Sequence, residues 1–189
     1  KKKVKINSFI FTSSSSVYNI DATNTELQAS DNNRGIYAIT KLIVERYLIS
    51  KQKKIRFNLI IARIFNVFGP SDNNSLINKI IVLKKRKRKI KIYSKKNKFR
   101  DFIHIDDLVN IYNKLLNINK SGIFDIGSGK ATNINKLINK FFKKKDQIII
   151  DDNNFNEITY SKANLTKLIS LIGEIKFKNV DKFLIQKLN

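Results

Sequence analysis

The chain has 189 residues, 42% of them hydrophobic, with no cysteine, no methionine, one histidine and a formal net charge of +23. That is enough for one sizeable core, or for one domain with a small second lobe. The missing cysteines exclude disulfides, thiolate metal sites and thiol catalysis, and the single His104 excludes a histidine-rich metal site. No apolar run reaches membrane-spanning length, and the opening "KKKVKINSFIFTSSSS" turns polar too soon for a signal peptide, so a cytoplasmic location is expected. The positive charge is nearly all lysine and travels with asparagine and isoleucine, residues whose codons are AT-rich. The one dense basic run, "KKRKRK" at 84–89, has no interleaved aromatics and gives way to a strand-like "IKIYS". It reads as a solvated face, and nucleic acid is not an expected partner.

In chain order, "SFIFTS" is a short apolar run of buried-strand type that breaks into serines. From Tyr37 to about Lys51 the period is helical, with Ile39, Leu42, Ile43, Tyr47 and Ile49 spread over a broad apolar face. "RFNLIIARIFNVFGP" reads as one continuous strand that stops at Gly69-Pro70, and Pro70 is the only proline. A helix is expected around 75–84, a strand near 90–93, and a strand over "DFIHI". "DDLVNIYNKLLN" reads as a helix whose first acidic residues suit its N-terminus. "GIFDIGSGK" is a strand and a glycine turn, and "TNINKLINKFF" a helix capped by Thr132 or Asn133. "QIIID" is a strand, and a last short helix is expected over about 161–171. Alternation of helices with near-continuous apolar strands predicts an α/β fold with a mostly parallel sheet.

Tyr37 and Lys41 lie one helical turn apart in "YAITK". A tyrosine ordinarily ionises near pH 10, and a lysine ammonium on the same helix face favours the phenolate. Alone, this spacing is weak in a lysine-rich chain. Its company is specific: "FIFTSSSSVY", then "YAITK", "ARIFNVFGP", "RDFIHIDDLV" and "FDIGSGKATNINKLI", in that order along essentially the whole chain. This succession resembles the extended short-chain dehydrogenase/reductase family, the NAD-dependent nucleotide-sugar epimerases and dehydratases.

The resemblance implies a partial Rossmann-type sheet with a smaller substrate-binding lobe, residues 1–69 with about 99–119 forming the first and 70–98 with 120–189 the second. It implies NAD as cofactor, NADP not being excluded, a nucleotide-sugar substrate, and a homodimer built through a helix bundle that includes 37–50. Ser14, four residues before the tyrosine of "SVY", matches the catalytic serine or threonine. Tyr37 matches the catalytic tyrosine, and Lys41 the lysine that binds the nicotinamide ribose. Asn66 in "FNVFG" and Arg100 in "RDFIH" match residues that hold the nucleotide-sugar, with Arg100 at the pyrophosphate. A guanidinium suits that group because its planar fork binds two oxygens at once. His104 lies inside an alternating strand and reads as a core residue satisfying hydrogen bonds. Gly127-Ser128-Gly129 reads as a turn, since it lacks the third glycine of a phosphate loop.

The departures sharpen the expectation. The family's opening G-x-x-G-x-x-G turn, which sets the cofactor pyrophosphate on a helix N-terminus, is not among these residues. A chain that starts on Lys1 at about the fourth strand of the usual order reads as a fragment of a longer protein or as a remnant unable to bind NAD by itself. Asn19 replaces the usual glycine after "VY". Ser15 and Ser16 stand where the dehydratase branch carries an acidic pair, and without a carboxylate there, water elimination loses its proton donor. The expected function is therefore an NAD-dependent nucleotide-sugar epimerase, acting at C4 through a transient ketone. The alternatives are a dehydratase or reductase on the same scaffold, or a non-catalytic interaction module.

Overall fold

The computed structural model describes residues 6–18, 35–52, 54, 57–70, 75–93, 97–142, 148–151 and 158–189. Strand β1 (Ser8–Ser14) runs into a single 3-10 turn at Ser15–Val17, and helix α1 (Ile36–Gln52) follows. β2 (Asn58–Ile64) is the middle strand of a parallel sheet in the order β1-β2-β6, where β6 is Gly122–Ile126. Neighbours on both sides bury Leu59, Ile60, Ile61 and Ala62 alike, which is why this stretch reads as continuous apolar sequence. The expected single strand over 56–70 is two strands. The chain leaves the first sheet at Phe65, whose N–H donates to the Ile126 carbonyl at 3.0 Å. It then pairs as β3 (Asn66–Phe68) with β5 (Phe99–His104) in a second, parallel pairing.

α2 (Leu76–Lys85) is capped by the Ser75 hydroxyl, and β4 (Ile90–Tyr93) pairs in parallel with β8 (Ile148–Asp151). β5 is followed directly by α3 (Ile105–Leu116), with His104 as its N-cap. β7 (Ala131–Asn133) pairs antiparallel with β5, and Asn133 caps α4 (Ile134–Phe141). The last helix expected near 161–171 starts later, as α5 (Thr166–Ile172). Before it, Ser161, Ala163 and Asn164 spend their N–H groups on Phe99, Asp101 and Asp125. A further helix, α6 (Val180–Leu188), was not expected.

Two cores result. One gathers Ile60, Ala62, Ile103, Ile111, Leu115 and Leu168 between the first sheet, α3 and α5. The other gathers Phe68, Ile77, Ile80, Phe102, Leu137 and Leu184 among α2, α4 and α6. β6 and α5, which the sequence division put in the smaller lobe, pack in the first core. The apolar face of α1 stays outside both. Ile36, Tyr37, Ile39, Ile43 and Tyr47 are exposed, and its buried residues are Ala38 and Glu45.

His104 satisfies core hydrogen bonds as its strand position suggests. Its Nδ1 accepts from the Asp106 N–H at 3.1 Å, and its ring packs edge-on against Phe68 and Phe183. Burial pulls its pKa below the ordinary 6.5, outweighing the opposing pull of the Asp106 charge. The folded state therefore favours neutral imidazole. That contribution is complete above pH 6.5 and is lost as pH falls from there through the lower folded value. The expected result is an unfolding free energy, read from urea titration, that drops on acidification below pH 6.5 by up to about 1.4 kcal/mol per pH unit from this group. His104→Asn, which keeps an acceptor for the cap, should remove that part of the slope.

Candidate active site

The expected site residues fall in two places. At the C-terminal end of β1, Lys41 Nζ donates to the Thr12 carbonyl at 2.9 Å and lies 5.7 Å from the centre of the Tyr37 ring. It also lies 5.2 Å from the Phe11 ring. The helix supplies this proximity, since residues four apart share a face. Tyr37 is 60% exposed. Ser14 ends the strand, and its hydroxyl oxygen accepts from the Ser16 N–H at 3.1 Å, capping the 3-10 turn. That bond uses the oxygen as acceptor and leaves the Ser14 proton to be donated.

Asn66 and Arg100 meet elsewhere, in a cavity of about 710 Å³ between β3, α2, β4, β5 and α4. Asn66 Nδ2 donates to the Asp101 carbonyl at 2.9 Å, and Arg100 Nη1 to the Phe99 carbonyl at 2.9 Å. Ser14, Tyr37 and Lys41 are not among the cavity's lining residues. Lys79, Lys91 and Lys98 join Arg100 in the wall, and no carboxylate lines it among the described residues. Sequence reasoning missed these lysines, because nothing in a lysine-rich chain sets them apart from solvated ones. Lys98 is only 8% exposed. Burial, and then the Arg100 charge, lower its pKa. An anion in the cavity would relieve both causes.

The Gly127–Gly129 turn is not a phosphate loop. Asp101, fully buried, occupies its donors: the Ser128 N–H at 2.7 Å, the Ser128 hydroxyl at 2.7 Å and the Gly129 N–H at 2.8 Å. Its carboxylate also accepts from the Ala163 N–H at 3.0 Å. A side chain at Gly127 would meet the Asp101 carboxylate and the Ala163 methyl within 3 Å, so the close approach requires glycine.

The model of the NAD dependent epimerase/dehydratase family matches residues 1–127. The chain belongs to that family. It is 32% identical, over 95% of its length, to the ADP-L-glycero-D-manno-heptose-6-epimerase of Brachyspira hyodysenteriae, and spans 61% of that relative. It is 27% identical to the dTDP-D-glucose 4,6-dehydratase of Dictyostelium discoideum, over 67% of this chain and 32% of that one. Among solved structures, the UDP-glucuronic acid 4-epimerase of Bacillus cereus in complex with UDP-glucuronic acid and NAD superposes with a TM-score of 0.80. It is 22% identical, over 98% of this chain and 61% of that one. The fold is thus the Rossmann-type α/β fold of the epimerase/dehydratase family. Among the described residues no helix is long and apolar enough to cross a membrane.

A wall that gathers Arg100, Lys79, Lys91 and Lys98 with no carboxylate among the described lining residues should hold an anion. Calorimetric titration with inorganic pyrophosphate is expected to show binding that weakens with added salt. Arg100→Met should lower the affinity about 10–100-fold, the worth of a charged hydrogen bond. An unchanged affinity would place the anion outside this cavity.

Proposed function

We propose that the full protein is an NAD-dependent nucleotide-sugar epimerase that oxidises the sugar transiently at C4, with NADP as the alternative cofactor. The observation that carries this reading is the Tyr37–Lys41 pair, tied through Lys41 to the backbone of Thr12 beside Ser14. These residues fit the nicotinamide-ribose end of a dinucleotide. An ammonium has three donors, of which one goes to Thr12, and the phenol of Tyr37 lies in the open. When bound, the nicotinamide supplies the hydride acceptor.

The protein's part is proton transfer and placement. Tyr37, as phenolate, takes the proton from the sugar hydroxyl. The Lys41 ammonium, 5.7 Å from the centre of the Tyr37 ring, holds the ribose. Ser14 donates to the sugar oxygen and relays its proton to Tyr37. Asn66 and Arg100 hold the nucleotide-sugar, with Arg100 on the pyrophosphate and the lysine-lined cavity supplying the surrounding charge. The second core thereby serves as the substrate lobe. The exposed apolar face of α1 suits the homodimer that the family resemblance implies.

Epimerisation is favoured over dehydration by Ser15 and Ser16, which offer no acid for water elimination. Glu45, the carboxylate bonded to the same serine tract at Ser13, is held by Arg63. A second reading, dehydration, is supported by the Dictyostelium relative's name. Product analysis separates the two, since an epimer keeps its mass and a dehydrated sugar lacks one water.

Tyr37→Phe keeps the ring and removes the proton acceptor, so kcat should fall about 10²–10⁴-fold with the fold intact. Lys41→Ala should lower both cofactor affinity and kcat. Steady-state kinetics of the full-length protein are the check. Normal turnover by Tyr37→Phe would end the catalytic reading.

A further inference from the structure

One buried polar cluster is not used by the mechanism above. Glu45 is 1% exposed and Arg63 3%, and Ser13 is buried with them. The Glu45 carboxylate accepts from Arg63 Nε at 3.1 Å and from Nη2 at 2.5 Å, and also takes a short hydrogen bond from the Ser13 hydroxyl. The Tyr18 ring lies over the guanidinium, 4.9 Å from its carbon, and the Tyr18 hydroxyl donates to Asp125 at 2.6 Å. The cluster therefore ties α1 to β1, to the turn that follows β1, to β2 and to β6.

We propose that the Ser13–Glu45–Arg63 cluster is a positioning device that fixes where α1 sits along β1, and so places Tyr37 and Lys41 against Ser14. The inference rests on the catalytic reading of those three residues. Tyr37, Lys41 and Glu45 are spaced by four and lie along one side of α1. Two of them are held on β1 just ahead of Ser14: the Thr12 carbonyl holds Lys41, and the Ser13 hydroxyl holds Glu45. Apolar packing sets this register only in part, because Ile36, Ile39, Ile43 and Tyr47 of α1 are exposed, Leu42, Leu48 and Ile49 are half-buried, and Ala38 and Glu45 are its fully buried residues. A buried ion pair contributes little to stability over an apolar substitute, but its geometry is directional. Arg63, reaching from the central strand with two donors, fixes the plane of the Glu45 carboxylate, and the carboxylate in turn accepts from β1.

The test uses the full-length protein with NAD and its nucleotide-sugar. Ser13→Ala leaves the Glu45–Arg63 pair intact, so the protein folds even if Glu45→Gln does not. Misplacement of reacting groups should lower kcat of Ser13→Ala about tenfold, and of Glu45→Gln about 100-fold, with KM for the sugar within about twofold of the parent. Ser13→Thr, which restores a hydroxyl, should restore the rate. Parental kcat in Ser13→Ala, a loss confined to KM, or a loss that Ser13→Thr leaves in place would each overturn the proposal. Those outcomes leave the catalytic reading standing so long as Tyr37→Phe is inactive. If Tyr37→Phe turns over normally, the catalytic reading and this inference fall together.

Discussion

The pleat of β5 is the constraint on which most of this molecule depends. Successive side chains of a strand point to opposite faces, so Phe102 enters one core and Ile103 the other. The same six-residue strand supplies Arg100 to the cavity wall and the Asp101 carboxylate to the Gly127–Gly129 turn. It ends on His104, which caps α3. A slip of one residue would exchange the two cores and turn the arginine away from the cavity. The antiparallel partner β7 and the parallel partner β3 hold that register from either side.

Buried polar groups in this chain join elements that apolar packing leaves loosely related. Asp101 draws the backbone around 128 and 163 together beneath β5, and Asp107 takes the Lys178 N–H at 2.7 Å. Asp125 receives both the Tyr18 hydroxyl and the Asn164 N–H. Each carboxylate accepts from donors that would otherwise be stranded away from water. Burial raises the pKa of Asp101 and Asp125, and the hydrogen bonds act against it. Lysine is abundant in the chain, yet these acids are satisfied chiefly by backbone and hydroxyl donors.

What the sequence could disclose follows from these contacts. The apolar run of β2, the caps at Ser75 and Asn133, and the ordered motifs that carry Ser14, Tyr37, Lys41, Asn66 and Arg100 are local patterns, and apart from the strand of Asn66 the elements bearing them formed close to where they were expected. The switch of sheets at Phe65 was illegible because hydropathy does not change there. It is made by one backbone bond to Ile126 and by Asn66 reaching the Asp101 carbonyl. The late start of α5 depends on distant carboxylates that occupy Ala163 and Asn164. α6 carried a readable signal, with Val180, Phe183 and Leu184 at helical spacing behind Asn179. The lysines of the cavity could not be told from solvated ones, since only the fold shows which are walled in. Helix α1 read as a helix with a broad apolar face, of which Ile39, Ile43 and Tyr47 are exposed, while the inward turn of Glu45 depends on Ser13 and Arg63 and has no local signal.

That outward face, set on a strongly cationic molecule, makes colloidal behaviour a matter of ionic strength. At low salt the excess positive charge keeps copies of the chain apart, since repulsion between them acts over tens of ångströms. At physiological salt the screening length is about 8 Å. Ile36, Ile39, Ile43 and Tyr47 of one copy can then approach those of another closely enough to exclude water. The buffer in which the chain is handled thus sets how near the exposed residues of α1 can come to another apolar surface.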